Sequence, residues 1–346
     1  RTARTYDMDR TPAPKQSLLN EPKKSSAPAP RQAVITNATA SAPLRLTNGV
    51  YVTSPTKTEA SEMRPVQNAL EAQIALITHG ISCGPLDGVI GSQTRAALRA
   101  YQRNAGLPLT GGLDPQTRRS LIIKPPVFTN YLITHDDVAR LTPISPTWIG
   151  KSQQSRLDYE NLLELVAEKT RSHQGLVRRL NPGIDWAKLG PGSVVTVVAI
   201  PVPVVTAQAA SVRIRLAEKT LQAFDAGGKL IAHFPCSIAR LVEKRPVGEL
   251  RVVTVVHNPN YTFNPALFPE STEARQLTQK LILPPGPNNP VGTAWIGLDR
   301  PGYGIHGTPH PEQVGRTESH GCFRLANWDA EYLARLVRVG TPVFVE

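Results

Sequence analysis

From Ser211 to the last residue, apolar residues recur at every second position in short segments that turns separate. Val212, Ile214 and Leu216 alternate with polar residues, and a turn follows at residues 226–228. Successive side chains of a strand point to opposite sides of a sheet, so this period predicts strands with one buried face. Further strands are predicted at residues 230–234, 250–256, 295–298, 303–305 and 342–345. The expected architecture is a mainly-β domain, a β-sandwich or open barrel.

One helix is predicted within this β region, directly after residue 325. Asn327 can cap its first turn, Asp329 and Glu331 lie near its positively charged end, and Gly340 follows its last turn. Because this helix comes straight after a predicted strand, we expect it to support that strand.

That strand carries the chain's most reactive combination of residues, a thiol beside imidazoles. The run Ser319-His320-Gly321-Cys322-Phe323-Arg324 follows the run His306-Gly307-Thr308. A free thiol with a pKa near 8.5 is only about 3% ionised at pH 7, and a nearby imidazole can lower the thiol pKa and accept its proton. A buried cysteine among satisfied core histidines is the alternative. The two runs together favour a nucleophilic cysteine.

The order of these runs resembles the catalytic domain of bacterial L,D-transpeptidases. The resemblance continues upstream through the loops at 258–261 and 284–292 and covers the chain from near residue 207 to its end. It implies that Cys322 forms a thioester with the third residue of a tetrapeptide stem and releases D-alanine. The acyl group then passes to the diaminopimelate amine of a neighbouring stem, giving a 3-3 cross-link that contributes to cell-wall biogenesis and cell shape. No metal or cofactor is implied, and carbapenems are expected to acylate the thiol.

The resemblance also implies roles for individual residues. Cys322 is the nucleophile and His306 the general base, and the main-chain carbonyl of Gly307 orients the imidazole. The missing side chain of Gly307 is expected not to matter, because the backbone supplies the acceptor. Gly321 and the Cys322 N–H are expected to form an oxyanion hole. His320, two residues before the cysteine and on the same strand face, is expected to tune the thiolate or contact substrate.

Four further residues are candidates for substrate binding. Ser319 is expected to support the turn before the nucleophile. Arg324, on the same strand face as the thiol, is expected to receive a carboxylate of the acyl donor, with a structural ion pair as the alternative. Tyr261 and Asn289 lie in loops that the resemblance places next to substrate.

Composition limits the partners of this 346-residue chain, which is long enough for two or three domains. Its formal net charge of +12 favours an anionic partner, or else a solvated basic surface. No nucleic-acid-binding motif is present, and aromatics are only 5% of the residues, so nucleic acid is not an expected partner.

The longest apolar stretch, 194–205, is broken by prolines and too short to cross a membrane. The chain begins at Arg1 without a hydrophobic signal core, so we expect an export signal to have been removed and the protein to act in the periplasm or cell envelope.

Three cysteines, an odd number, leave at least one thiol unpaired within the chain. Cys322 is the expected free one. Cys83 and Cys236 fall in different predicted domains and are expected to be structural, with their pairing left open.

Upstream of the β region, the sequence predicts three segments. Residues 1–62 are rich in Pro, Ala, Ser, Thr and Lys and are expected to form a disordered tether. Residues 63–126 show helical spacing at Val66, Leu70 and Ile74, with glycine turns near residues 84–88 and 110–112. This pattern resembles the three-helix peptidoglycan-binding domain, which implies binding of the wall.

Residues 127–206 form the third upstream segment. An apolar helical face at residues 162–167 is followed by Pro-Gly turns and a β-branched run at 194–200. This succession is similar to a LysM module, in which two helices pack on a two-stranded sheet and contact glycan; a spacer without glycan contact is the alternative. The predicted domains are therefore 1–62, 63–126, 127–206 and 207–346.

Several functions are compatible with the sequence. Water as the acceptor would make the protein an L,D-carboxypeptidase, and a lysine of an outer-membrane lipoprotein or a free D-amino acid could also resolve the thioester. In a different class, the catalytic fold is inert and the chain is a wall-binding protein. The expected partners are peptidoglycan stem peptides and glycan.

Overall fold

The computed structural model describes residues 44–47, 50–53, 62–201, 205, 207–268, 270–316 and 321–346. Strands β1 (Leu44–Thr47) and β2 (Val50–Thr53) pair antiparallel within the segment predicted to be disordered, so that expectation is wrong for these eight residues. The rest of the predicted tether before residue 62 lies outside the described residues. No helix in the described part of the chain is long and apolar enough to cross a membrane.

The N-terminal unit, residues 62–126, contains the three predicted helices and a short two-stranded ladder. Asn68 caps the first helix by accepting from the Glu71 N–H, and Asp114 caps the third by accepting from two N–H groups. The elements are β3 (Arg64–Pro65), α1 (Ala69–Thr78), α2 (Ser92–Asn104), α3 (Pro115–Ser120) and β4 (Ile122–Ile123).

The middle unit, residues 127–201, has the helix pair and the two-stranded antiparallel sheet that the sequence predicts. Its helix α6 buries the predicted apolar face, and β5 pairs with β6. The elements are β5 (Phe128–Leu132), α4 (His135–Ala139), α5 (Trp148–Gln153), α6 (Leu162–Lys169), α7 (Gln174–Leu180), a 3-10 turn (Trp186–Lys188) and β6 (Val194–Val198).

The C-terminal unit, from residue 207, is built on one eight-stranded sheet, which confirms the mainly-β expectation. The strand order is β15-β14-β13-β10-β16-β7-β8-β9, and β11 pairs separately with β12. The strands are β7 (Ser211–Arg215), β8 (Thr220–Phe224), β9 (Leu230–Pro235), β10 (Gly248–His257), β11 (Tyr261–Phe263), β12 (Leu281–Leu283), β13 (Ala294–Leu298), β14 (Gly304–His306), β15 (Phe323–Arg324) and β16 (Pro342–Val345).

Two α-helices accompany this sheet in the described part of the C-terminal unit. The short α8 (Thr272–Gln276) was not predicted, whereas α9 (Asn327–Leu336) is the helix expected after the cysteine. The predicted cap is wrong: Ala326 occupies the N-cap position, and the Asn327 side chain makes bonds away from the helix end. Asp329 is likewise buried and accepts a hydrogen bond from Ser82 of the N-terminal unit at 2.9 Å. The Asn327 side chain therefore serves tertiary contacts instead of the helix end, whereas Asp329 lies in the first turn of α9, as predicted, and makes a tertiary contact as well.

The three units pack against one another through backbone as well as side-chain contacts. Ile81 of the N-terminal unit forms a parallel bridge with His233 on β9, where the Ser82 N–H donates to the His233 carbonyl at 2.8 Å. Leu86 forms a second bridge with Ser172 of the middle unit. The N-terminal unit therefore contacts both of the others.

Candidate active site

His306, the last residue of β14, is held in one orientation by its own neighbour. Only 4% of the residue is exposed, and its Nδ1 lies 2.6 Å from the Gly307 carbonyl oxygen. Because a carbonyl can only accept a hydrogen bond, Nδ1 carries the proton. The neutral ring therefore has its lone pair on Nε2, as a general base requires. This geometry matches the role predicted for the Gly307 carbonyl.

The surroundings of His306 disfavour its charged form. Burial lowers its pKa to about 3, and the positive charge of Arg324 acts in the same direction. The ring also stacks on Trp295 of β13, with centroids 5.6 Å apart and an interplanar angle of 21°. At neutral pH the imidazole is an uncharged, oriented proton acceptor.

Cys322 lies directly before β15, the strand beside the histidine strand. The strands β14 and β15 run parallel, with Ile305 opposite Phe323 and His306 opposite Arg324. The half-buried thiol donates to the Gly302 carbonyl at 3.5 Å. Strand pairing thus brings together two segments that are sixteen residues apart in the sequence.

The thiol is protonated in this resting arrangement. Burial raises the pKa of Cys322 above its ordinary value, although the Arg324 charge and a backbone hydrogen bond oppose the rise. The expectation that a neighbouring imidazole would lower this pKa is not met, because desolvation outweighs the favourable interactions. The site therefore holds a neutral thiol and a neutral imidazole on neighbouring segments.

Arg324 and Tyr261 complete a small polar group around the thiol. Burial raises the pKa of Tyr261 to about 12, and the negative charge of a Cys322 thiolate adds to the rise. Burial lowers the pKa of Arg324, whereas Cys322 and Tyr261 raise it. Both predicted residues therefore lie within electrostatic reach of the nucleophile.

Three further residues predicted for the site, Ser319, His320 and Gly321, lie directly before the cysteine. Ser319 and His320 lie outside the described residues. Gly321 is half-buried, and a β-carbon added at this position would have Tyr303 Cε1 as its nearest neighbour, at 3.8 Å, so steric room does not explain the glycine. Its part in an oxyanion hole remains a prediction.

Asn289 does not face the site as the sequence suggests. It is completely buried, its Nδ2 donates to the Pro284 carbonyl at 2.8 Å, and its Oδ1 accepts from the Val291 N–H at 2.9 Å. These bonds hold the 284–291 loop together. Substrate could reach the amide only if the loop opened, so we assign Asn289 to the loop's internal structure.

The absence of a side chain at Gly307 is required for steric reasons, contrary to the expectation from the sequence. A β-carbon at this position would overlap Oδ1 of Asn327 and would lie 3.2 Å from Gly292 Cα. The side chain of Asn327 therefore packs directly on the peptide group whose carbonyl orients His306. Sequence reasoning missed this contact because an asparagine at the start of a helix is usually explained as a cap.

The protonated resting thiol predicts a distinct pH profile for alkylation of Cys322. We expect the rate with iodoacetamide to rise continuously to above pH 9 without a plateau near neutrality, because the reactive thiolate accumulates only as the raised pKa is approached. In Arg324→Gln the profile is expected to move to higher pH, because a charge that lowers the thiol pKa is lost. Labelling would be followed by intact mass, with Cys322→Ala as the control for the buried Cys83 and Cys236.

A plateau between pH 6 and 7 in the wild-type protein would contradict this account, since it would show a thiolate–imidazolium pair at rest.

Two family matches cover the N-terminal and C-terminal units. Residues 209–345 match the L,D-transpeptidase catalytic domain, and residues 66–121 match a putative peptidoglycan binding domain. The matched ranges do not include 127–206, so the LysM-like assignment stays a prediction.

Similar proteins carry related names. The putative L,D-transpeptidase YkuD of Bacillus licheniformis is 26% identical over 183 residues, which are 53% of this chain and 92% of that protein. The probable L,D-transpeptidase ErfK/SrfK of Salmonella typhimurium is 29% identical over 222 residues, 61% of this chain and 70% of that protein. A solved structure of the L,D-transpeptidase from Xylanimonas cellulosilytica aligns over 85% of this chain and all of that one, with 16% identity and a TM-score of 0.35.

Proposed function

We propose that the chain is a peptidoglycan L,D-transpeptidase with Cys322 as its nucleophile, because residues 209–345 match the L,D-transpeptidase catalytic domain and residues 66–121 match a putative peptidoglycan binding domain. The observation that supports the nucleophile best is the arrangement of β14 and β15. It places a buried, Nδ1-protonated imidazole on the strand next to the thiol. A cysteine with a base on a neighbouring strand suits acyl transfer.

Acylation begins as Nε2 of His306 removes the thiol proton. The sulfur attacks the carbonyl carbon of the third residue of the stem, and the carbonyl oxygen becomes an oxyanion. Backbone N–H groups at Gly321 and Cys322 are our candidates to stabilise it, each such donor typically contributing about 3–4 kcal/mol. The intermediate collapses when the C–N bond to D-alanine breaks, and the leaving amine takes the proton from His306. One thioester and one D-alanine result.

Deacylation repeats these steps with an acceptor amine. His306 accepts a proton from the amine as its nitrogen attacks the thioester, the C–S bond breaks, and the thiolate recovers its proton. Because the imidazole is neutral over the physiological range, it is ready to act as a base in both halves of the reaction. The favoured acceptor is the side-chain amine of a neighbouring stem's diaminopimelate, which gives the 3-3 cross-link.

Arg324 and Tyr261 are proposed to bind the acyl donor. The Arg324 charge lies within electrostatic reach of the thiol and can also attract a stem carboxylate. Tyr261 lies on β11, which pairs antiparallel with β12, and its raised pKa keeps the phenol protonated as a hydrogen-bond donor. Asn289 is left out of this set because its amide is already bonded within its loop.

The N-terminal unit is proposed to keep the catalytic unit at its substrate, peptidoglycan in the cell envelope. Linking a second binding unit to a catalytic one can raise the effective substrate concentration to about the millimolar range. The middle unit has the helix pair and small sheet predicted for a LysM-like module, which supports glycan contact as a further proposal.

Turnover of tetrapeptide muropeptides would test the proposed function. We expect the protein to produce cross-linked dimers lacking one D-alanine, identified by mass spectrometry, and Cys322→Ala to produce none. Tripeptides alone would make water the acceptor and the protein an L,D-carboxypeptidase. Adding a lipoprotein carboxy-terminal peptide or free D-amino acids would show whether those amines compete. Absence of any Cys322-dependent product would overturn the proposal and favour a wall-binding role.

A further inference from the structure

Asn327 links the middle unit to the backbone beside His306. It is 1% exposed, and its Nδ2 donates to Glu168 Oε1 on α6 at 2.8 Å and to the Pro287 carbonyl at 3.1 Å. Its Oδ1 accepts from the Thr293 N–H at 3.3 Å. These three bonds lead away from the residue's own helix, towards the middle unit and the 287–293 segment.

The same amide packs on the peptide that orients the base. The Oδ1 atom occupies the space where a β-carbon of Gly307 or of Gly292 would lie, and a β-carbon on Gly292 would also come within 2.6 Å of the Gly307 carbonyl carbon. Gly292 and Gly307 are thus packed against each other with Asn327 across both. A shift of the amide would displace the carbonyl that accepts from His306 Nδ1.

Glu168 does not act alone in holding this region. Glu164, one turn earlier on α6, accepts from Asn288 Nδ2 at 2.6 Å. Residues four apart share a helix face, so both glutamates face the catalytic unit. Backbone bonds add to this: the Leu157 N–H donates to the Pro285 carbonyl at 3.0 Å, and the Asn288 N–H donates to the Leu157 carbonyl at 2.9 Å.

We propose that Asn327 is a positioning residue for His306, and that Glu168 of the middle unit positions Asn327, so that the middle unit supports the catalytic base through Asn327. The inference rests on the proposed function for its kinetic readout. It assigns the middle unit a task in the reaction that is separate from any contact with glycan. The path runs from Glu168 through Asn327 to the Gly307 carbonyl and then to His306 Nδ1.

The chemistry of Glu168 supplies a conservative control. Burial, together with Glu164 and Glu331, raises its pKa to about 8, so at pH 7 the carboxyl is largely uncharged. Glutamine is a close mimic of an uncharged carboxyl and keeps an oxygen that can accept from Asn327 Nδ2. Glu168→Gln should therefore preserve the link, whereas Glu168→Ala removes it.

The test compares the full-length variants Asn327→Ala, Glu168→Ala and Glu168→Gln. Acylation of Cys322 by a carbapenem, followed by intact mass, is expected to slow about 30-fold in Asn327→Ala and about tenfold in Glu168→Ala, because small misplacements of a catalytic group are costly. Glu168→Gln is expected to stay within threefold of the wild type. The carbapenem concentration for half-maximal rate should change little, since neither residue is proposed to touch the ligand.

A second readout reports on His306 without any turnover. The His306 Nδ1 proton would be followed by ¹⁵N NMR, and we expect its exchange with solvent to accelerate at least tenfold in Asn327→Ala and in Glu168→Ala. Glu164→Ala, which removes the neighbouring bond to Asn288, controls for general loosening of the interface and should have a smaller effect. Thermal unfolding of each variant would confirm that it is folded.

The outcomes separate this inference from the proposed function. If the wild-type protein is not acylated, the proposed function fails, but proton exchange at His306 still decides the positioning role. Acylation and exchange rates within twofold of the wild type in both Asn327→Ala and Glu168→Ala would overturn the inference. Equal losses in Glu164→Ala and Glu168→Ala would also overturn it, because they would show only weakened packing between the units.

Discussion

Replacing His306 by alanine is expected to slow acylation of Cys322 by about a thousandfold, within the range that general bases contribute. The effect should be large because the thiol is protonated at rest, so no pre-formed thiolate remains when the base is lost. His306 is the proposed proton acceptor, and its Nε2 is left unprotonated because Nδ1 donates to the Gly307 carbonyl. Single-turnover acylation by a stem peptide or a carbapenem, read by intact mass, measures the loss.

His310→Ala is the matched control, because it removes an imidazole four residues away whose side chain is largely exposed. It should acylate at close to the wild-type rate. Raising the pH should partly rescue His306→Ala, since hydroxide can generate the thiolate that the base no longer forms. A rate for His306→Ala within tenfold of the wild type at pH 7 would contradict its assignment as the base.

Phe323→Ala is expected to destabilise the C-terminal unit by about 3–5 kcal/mol. Phe323 is completely buried in the main core of this unit and is paired with Ile305 on β14. Truncation would leave a cavity in the core beside β14, which carries His306, and β15, which directly follows Cys322. Because the chain has several units, hydrogen exchange of peptides covering β13 and β14 is a better measure than a single melting temperature.

Phe323→Leu is the control, since it keeps most of the apolar volume and should cost much less. Protection of β14 in Phe323→Ala within about 1 kcal/mol of the wild type would show that this ring does not hold the two strands together.

The strands in which apolar and polar residues alternate were predictable, because one side of each strand faces the core. Val212 and Ile214 are both fully buried, as their spacing indicates. The strand expected at the cysteine is only two residues long, and this extent was not predictable because it depends on pairing with β14 rather than on a local pattern. Cys322 and His306 could be proposed as nucleophile and base from the sequence because their residue types and neighbours are unusual together.

The sequence could not reveal which side chains would be used in contacts between units. Asn327 has the local pattern of a cap, yet a glutamate about 160 residues earlier binds it. Asn289 looks like a loop residue open to substrate, yet its own loop satisfies its amide. The sequence also could not reveal the pKa of the Cys322 thiol. A neighbouring imidazole was expected to lower it, but burial, which depends on the packed structure, raises it.

Trapping the acyl-enzyme tests the central claim most directly. The protein would be mixed with a tetrapeptide stem lacking an acceptor amine, quenched in acid, digested and analysed by tandem mass spectrometry. We predict that the peptide containing Cys322 gains the mass of the stem minus one D-alanine, which leaves with the thiol proton, that hydroxylamine removes the adduct, and that one D-alanine is released per adduct. An adduct on another residue, or D-alanine release that persists in Cys322→Ala, would contradict the account.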